Sequence, residues 1–176
     1  MDTLSRRLFL AGLAPVAAAL AGCGFQPLMA RPEVDASISM ELAAIRIGDI
    51  GEDEDRRVGQ LLRNELIDRF TAGVGEQPQR YYLAIDIDQR TSALQIQNTD
   101  TVTRYNLELI ARFRLYENGS NETIYAADAS AISSYDVVDS EYATLVAEQG
   151  SARAASRDLS NTIAALLALY FRRQGA

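Results

Sequence analysis

An alternating stretch from residue 104 to residue 116 constrains the fold of this chain most strongly. Apolar residues occupy every second position, and mostly polar or charged residues lie between them. Such a period of two predicts a β-strand with one buried face and one exposed face. The apolar positions are Tyr105, Leu107, Leu109, Ala111, Phe113 and Leu115. The turn sequence from Asn118 to Asn121 follows and predicts a hairpin.

A second strand is predicted from Tyr81, where apolar residues alternate up to Ile87. The apolar phase then shifts to Leu94 and Ile96. Since a one-residue shift moves side chains to the other face of a sheet, we predict a bend between Gln89 and Ala93. The residues from 98 to 101 are typical of a turn.

Two more strands complete the predicted sheet. The hairpin returns from Thr123 to Tyr135, with Tyr125, Ala127, Ala129 and Ala131 on one face. The segment from Ser37 to Ile47 has apolar residues at Ile38, Met40 and Leu42. We interpret it as a strand with a bulge near Ala43 and Ala44.

Two amphipathic helices are expected to cover this sheet. The first runs from about Asp55 to Phe70, and its apolar stripe is Val58, Leu61, Leu62, Leu66 and Phe70. The acidic residues from Glu52 to Asp55 favour helix capping over a cation site. The second helix runs from about Ser140 to Arg173, and Gly150 is predicted to divide it. Residues 37–176 thus predict one α+β domain of two layers, with two helices on one face of a four-stranded, mainly antiparallel sheet in the order β-α-β-β-β-α.

The N-terminal segment is typical of an export signal. Arg6 and Arg7 precede an apolar run of about 13 residues, which is shorter than the roughly 20 residues of a membrane-spanning helix. Leu20-Ala21-Gly22-Cys23 resembles the bacterial lipobox. We therefore expect removal of residues 1–22, acylation of Cys23 and an extended tether over residues 23–36. The twin arginines leave the Sec and twin-arginine routes both open, and Gly24 after the cysteine favours the outer membrane over the inner membrane.

Composition excludes several functional classes. The chain has a net charge of −7, which does not suit nucleic-acid binding. All its basic residues are arginines, so catalytic groups that need His or Lys are missing. We therefore predict no catalytic residues, no metal and no cofactor. Asp86 and Asp88 share one strand face, which indicates a solvated surface, and a carboxylate-based hydrolase stays as the remote alternative.

Four arginines in the predicted sheet are candidates for binding an anionic group. They are Arg90, Arg104, Arg112 and Arg114. Guanidinium groups match the geometry of phosphate. The alternative is that they pair across strands with Glu108, Asp86, Asp88 or Asp128.

The start of the expected mature chain resembles a known family. Cys23-Gly24-Phe25-Gln26-Pro27-Leu28 is similar to the first residues of lipopolysaccharide-assembly lipoproteins, the LptE family, although Met29 stands where an aromatic residue is commoner. The strand entry Arg104-Tyr105-Asn106-Leu107 and the order of elements also fit.

This resemblance implies a lipoprotein on the periplasmic side of the outer membrane. It would plug the β-barrel LptD, help that barrel assemble and support delivery of lipopolysaccharide to the outer leaflet. The family also contacts lipopolysaccharide through basic residues, and no motif here fixes which arginine would do so. The alternative is another lipoprotein adaptor or an accessory subunit of an envelope lipid transporter.

Overall fold

Three helices and four strands make up the described part of the chain. The computed structural model describes residues 32–52, 55–94 and 104–175. The elements, in chain order, are α1 (Pro32–Ala43), β1 (Ile45–Ile47), α2 (Arg56–Thr71), β2 (Tyr81–Leu94), β3 (Arg104–Glu117), β4 (Thr123–Asp136) and α3 (Glu141–Gln174). The predicted order of strands and helices is confirmed, with one additional helix before the first strand.

The sheet has the strand order β1-β2-β3-β4. The short strand β1 is parallel to β2, whereas β3 is antiparallel to both of its neighbours. The three long strands have 14 residues each. Their predicted starts are confirmed, because alternating apolar residues favour the extended backbone wherever one face can be buried.

One face of the sheet, here called the inner face, forms the hydrophobic core with α2 and α3. Its central strand β3 contributes the completely buried Leu107, Leu109 and Leu115. Small residues of β4, such as Ala129 and Ala131, let α3 approach closely. The helices bury Val58, Leu62, Leu66, Phe70, Leu159, Ile163, Leu167 and Phe171 against it. The predicted two-layer α+β architecture is therefore confirmed.

The loop from β1 to α2 passes very close to the second helix. A Cβ atom on Gly59 would overlap the backbone carbonyl of Ile50, so only glycine fits at this helix position. Gly51 in the same loop has φ +75°, a conformation that glycine adopts without steric cost. Asp55 is the N-cap residue of α2, so an acidic residue lies at the helix start as predicted, although its side chain makes no capping hydrogen bond.

The predicted strand from Ser37 is wrong in its first half. Residues up to Ala43 are helical in α1, and only Ile45–Ile47 form a strand. The apolar positions Ile38 and Leu42 are four residues apart, a spacing that also places side chains on one side of a helix. Pro32 is the first residue of α1, a position that proline favours. Residues 32–36, which we predict as part of an extended tether, therefore belong to this helix.

Two other predicted interruptions are absent from the described elements. β2 keeps a regular register with β3 from Tyr81 to Leu94, so the predicted bend is wrong. The inward row of β2 continues with Gln89, Thr91 and Ala93. α3 starts where predicted, with Ser140 as an N-cap residue that accepts a hydrogen bond from the backbone of Ala143, but the helix continues through Gly150. A single glycine weakens a helix by only about 1 kcal/mol, and packing of the second half outweighs this cost.

Several predictions lie outside the described residues. These are the export signal over residues 1–22, the acylated Cys23, the first part of the tether and the turn at residues 98–101. Within the described segments, no helix is both long enough and apolar enough to cross a membrane.

Candidate functional site

The second face of the sheet, here called the outer face, carries the four arginines that the sequence predicts as candidates. Arg90 lies on β2, whereas Arg104, Arg112 and Arg114 lie on β3. Successive side chains of a strand point to opposite faces, and these arginines alternate with the buried residues of β2 and β3. All four therefore lie on the face opposite the hydrophobic core. The other outward residues of the long strands include Tyr82, Ala84, Asp86, Asp88, Ser92, Asn106, Glu108, Ile110, Tyr116, Ala126, Asp128, Ser130, Ile132, Ser134 and Asp136.

Three of the four arginines are held by carboxylates. Arg112 lies 3.0 Å from Asp86, and Arg90 lies 2.7 Å from Asp88, the carboxylate two residues before it. The predicted alternative of pairing across strands is therefore correct for Arg112, whereas Arg90 pairs with a carboxylate of its own strand. Asp86 and Asp88 are consequently ion-pair partners on an open surface, which is not the arrangement of a protonated acid beside a free base.

The third pair joins β3 and β4 at the open end of their hairpin. Arg104 donates two hydrogen bonds to Asp136, at 2.7 and 3.2 Å. This bidentate geometry lowers the pKa of Asp136, chiefly through the hydrogen bonds from Arg104. It also raises the pKa of Arg104 for the same reason. Asp136 was not among the partners that the sequence suggested.

Arg114 differs from the other three arginines, because no carboxylate within the described residues pairs with it. Its cross-strand neighbours are Ala84 on β2 and Ala126 on β4. These small side chains leave the guanidinium open to solvent. An anionic group can therefore reach Arg114 without displacing a protein carboxylate.

Two tyrosines lie next to Arg114 on the outer face, and a further arginine lies over one of them. Tyr82 and Tyr116 face each other across β2 and β3, with ring centroids 6.3 Å apart. The guanidinium of Arg46 on β1 lies over the Tyr82 ring, 4.9 Å from its centroid. We call Arg46, Arg114, Tyr82 and Tyr116 the Arg–Tyr cluster. Sequence reasoning missed Arg46, although its position between Ile45 and Ile47 already indicated the exposed phase of a strand.

A glycine accommodates the Tyr82 ring of this cluster. A Cβ atom on Gly48 would overlap the Tyr82 hydroxyl, so the ring lies directly against the backbone after β1. The cluster therefore combines two guanidinium groups with aromatic rings on a supported surface. Such groups can hold a phosphate or a carboxylate by charge-assisted hydrogen bonds.

A second polar group fixes α1 to the start of β2. The Tyr81 hydroxyl donates a hydrogen bond of 3.0 Å to Glu41, and Arg80 forms an ion pair with the same carboxylate. Burial, aided by the nearby Glu41, raises the pKa of Tyr81. In the described segments, no group of three or more His, Cys, Asp and Glu residues is placed to hold a metal ion.

Comparison with known structures gives the same fold in lipoproteins from other bacteria. A putative lipoprotein from Caulobacter crescentus is 22% identical over 77% of this chain and 96% of its own, with a TM-score of 0.63. The rare lipoprotein B from Shewanella oneidensis is 15% identical over 75% of this chain and 98% of its own, with a TM-score of 0.54. A minor lipoprotein from Acinetobacter baumannii is 18% identical over 72% and 90% of the two chains, with a TM-score of 0.52.

The family comparison extends from the end of α1 to the last turns of α3. The family model described as "LptE: Lipopolysaccharide-assembly" matches residues 42–168, well over half of the chain. A search of curated proteins finds no match. The matched range contains the whole sheet, α2 and the Arg–Tyr cluster, and on this basis the chain belongs to the LptE lipopolysaccharide-assembly family.

Proposed function

We propose that this protein is an outer-membrane lipoprotein that plugs an LptD-type β-barrel from the periplasmic side. In this role it helps the barrel assemble and supports delivery of lipopolysaccharide to the outer leaflet. Membership of the LptE family supports a role in lipopolysaccharide assembly. The anchor in this proposal is Cys23, acylated after removal of residues 1–22.

The observation that carries the plug proposal is the polar outer face of the sheet. The three long strands span about 46 Å at 3.3 Å per residue, and α2 and α3 lie on the opposite face. Charged pairs and small residues cover most of this surface, with a few apolar side chains such as Ile132 between them. The lumen of a large outer-membrane barrel is also polar, so the two surfaces can meet without burying apolar groups against charge.

Purification of the tagged full-length protein from its native membranes tests this function. We expect a large β-barrel in stoichiometric amounts after extraction in mild detergent, identified by mass spectrometry. Ser130→Trp on the outer face should lower the recovery of the barrel, whereas Asn161→Trp on the exposed side of α3 should lower it less. Reproducible absence of a barrel would refute the plug and leave another lipoprotein adaptor as the better description.

The proposed lipid anchor has its own test. Cys23→Ala should abolish metabolic labelling with a radioactive or clickable fatty acid, and retained labelling would refute the acylation site. Pairing with the barrel should survive this change, because the protein surface provides most of the affinity and one lipid chain alone gives only marginal anchoring.

We propose the Arg–Tyr cluster as the site of direct contact with lipopolysaccharide. Of the candidates Arg90, Arg104, Arg112 and Arg114, only Arg114 is without a carboxylate partner among the described residues, and Arg46 joins it. Removing residues 1–22 takes away Arg6, Arg7 and Asp2, which leaves a mature charge of −8. Attraction to an anionic glycolipid must therefore act within about 8 Å, the screening length at physiological salt.

The double change Arg46→Gln and Arg114→Gln tests this contact. We expect it to weaken binding of purified lipopolysaccharide by about tenfold, roughly the loss of one charge-assisted hydrogen bond. Arg90→Gln is the matched control, since Asp88 already neutralises that arginine. Equal losses for the control and the double variant would remove the cluster from the proposal.

An enzyme is the less favoured function. The LptE family is a family of non-enzymatic lipoproteins, and the candidate carboxylates Asp86 and Asp88 are both engaged by arginines. We therefore propose no catalytic role for them.

A further inference from the structure

The first two turns of α3 expose three apolar side chains that the proposed function does not use. Tyr142 is 77% exposed, Leu145 is 47% exposed and Val146 is 50% exposed. Spacings of three and four residues place them on one side of the helix. We call them the α3 ridge.

The α3 ridge lies on the same face of the helix that is buried farther along. Eighteen residues correspond to five turns of an α-helix, so a residue and its counterpart 18 positions later point in the same direction. The counterparts of Tyr142, Leu145 and Val146 are Ser160, Ile163 and Ala164. All three are buried. One face of α3 is therefore covered in its second half and open in its first two turns.

The difference arises because α2 is shorter than α3. α2 has 16 residues and α3 has 34, which correspond to about 24 Å and 51 Å. α2 connects the parallel strands β1 and β2, so it runs back against them. α3 also runs back along β4, with Tyr170 stacked on Tyr125 near the start of that strand.

The two helices therefore run in the same direction, and an ion pair between them sets their relative position. Arg157 of α3 lies 3.9 Å from Glu65 of α2. Nine residues earlier in each helix, the first residue of α2, Arg56, is level with Glu148 of α3. The α3 ridge consequently lies beyond the start of α2, where no described element covers it.

Within the described residues, the end of β2 beside this position is also open, whereas Leu107 of β3, the partner of Thr91, is completely buried. The inward residues of β2 at its far end are Gln89, Thr91 and Ala93, of which Thr91 and Ala93 are exposed and Gln89 is half-buried. The α3 ridge and these residues of β2 bound an open groove that continues the path of α2. The groove is apolar on the helix side and weakly polar on the sheet side.

In α3 and the loop before it, the charged residues next to the α3 ridge are acidic. Asp139 and Glu141 precede it, and Glu148 follows it. α2 packs beside the second half of α3. It carries four arginines against one aspartate and one glutamate, a net charge of +2. Basic residues thus accompany the apolar stripe that already packs against this face of α3.

We infer that the open groove binds an amphipathic helical segment of another protein, with apolar side chains facing the α3 ridge and basic residues beside it. The continuity with the packing of α2 favours a helix, and the acidic rim favours a basic one. A second copy of this chain would bring two acidic rims together, and an anionic lipid would meet the same repulsion. This inference does not depend on the barrel partner.

Site-specific photocrosslinking in cells of the native organism tests the groove with the full-length protein. Benzoylphenylalanine replaces Tyr142 or Val146, and the control position is Ala154, which is exposed about a third of a turn around the same helix. We expect adducts from positions 142 and 146 only. Peptide sequencing should identify a segment of another protein with apolar residues three and four apart and with Lys or Arg beside them.

Adducts with this chain itself, with a second copy or with a lipid would overturn the inference, as would the absence of an adduct. A synthetic peptide of the cross-linked segment gives a second measurement. The double variant Tyr142→Asp and Val146→Asp should raise its Kd at least about tenfold, whereas Ala154→Asp should leave it within about twofold. Equal affinity for the double variant would also overturn the inference. Recovery of the barrel with the double variant separates this result from a failure of the proposed function.

Discussion

The inner and outer faces of the sheet are built by alternate residues of the same strands, yet they have opposite chemistry. Leu107, Leu109 and Leu115 on the inner face are completely buried under the helices. Their neighbours on the outer face are charged pairs, such as Arg112 with Asp86, on a surface that neither α2 nor α3 covers. Free energy of unfolding therefore comes mainly from the inner face. Substitutions on the outer face should alter contact with a partner while changing the free energy of unfolding little. Substitutions on the inner face should lower that free energy strongly.

The largest expected effect is the loss of a buried leucine. Leu109→Ala on the inner face should lower the free energy of unfolding by about 2–5 kcal/mol, because it removes buried methyl groups and leaves a cavity. Ile132→Ala on the outer face, where the side chain is 59% exposed, should change it by no more than about 0.5 kcal/mol. Urea unfolding of both variants measures the difference. Similar losses would show that the outer face is part of the folded core.

A second pair of substitutions tests the helical layer over the inner face. Gly59→Ala should destabilise the protein by about 1–3 kcal/mol, since the new methyl group has no room beside the carbonyl of Ile50. Gly150→Ala adds the same methyl group to α3 in open space and should stabilise by up to about 1 kcal/mol. Thermal unfolding followed by circular dichroism should show shifts of opposite sign. A shift of the same sign in both variants would contradict the close approach at Gly59.

On the outer face, the ion pair of Arg104 with Asp136 should give a small acid-dependent effect. The pKa of Asp136 is lowered in the folded state. Its contribution to the free energy of unfolding is therefore present above about pH 3.9, the pKa of an aspartate in the unfolded chain, and is lost as the pH falls through the pKa in the folded protein. Asp136→Asn should therefore destabilise at neutral pH but have little effect near pH 2. Urea midpoints at both pH values check this. A difference that persists in acid would mean that the aspartate acts through something other than its charge.

The smallest expected effect concerns the border of the inner face at Tyr81. Burial raises the pKa of this phenol in the folded state. Its contribution to the free energy of unfolding is therefore present below about pH 10, the pKa of a tyrosine in the unfolded chain, and is lost as the pH rises through the pKa in the folded protein. Tyr81→Phe should remove one late-titrating component from the alkaline absorbance of the tyrosines. An unchanged titration would contradict the burial of this hydroxyl near Glu41.

The sequence predicts the inner face better than the ends of the molecule. Alternation of apolar and polar residues alone predicts the bounds of the three long strands to within a few residues, because a strand with one buried face needs an apolar residue at every second position. It does not give α1, since Ile38 and Leu42 satisfy a helix and a strand equally well. Met40, which the strand interpretation places with them, is 48% exposed.

The misplaced bend in β2 has a physical origin in the same helical layer. Gln89, Thr91 and Ala93 do face inward, but α2 does not reach them, so selection for apolar residues is lost there. A change of polarity along a strand therefore indicates either a bend or the end of the covering helix. Only the lengths and positions of the helices distinguish the two.

The candidate site was predicted in part. Alternation places all four arginines on one face, whereas their partners depend on register. Arg104 and Asp136 are 32 residues apart in sequence, and only the pairing of β3 with β4 brings them together. Arg46 joins Tyr82 through the parallel pairing of β1 with β2, which no local pattern indicates.

The short strand β1 has a mechanical consequence. Pulling on the N-terminal end of the chain would load α1 and the three paired residues of β1 before it reached the long strands. These few hydrogen bonds would separate at a lower force than the 14-residue ladders between β2, β3 and β4. A protein held by its N-terminus would therefore lengthen by releasing α1 and β1 while its three-stranded ladder stayed intact, and stretching single molecules would show this as an early, small extension step.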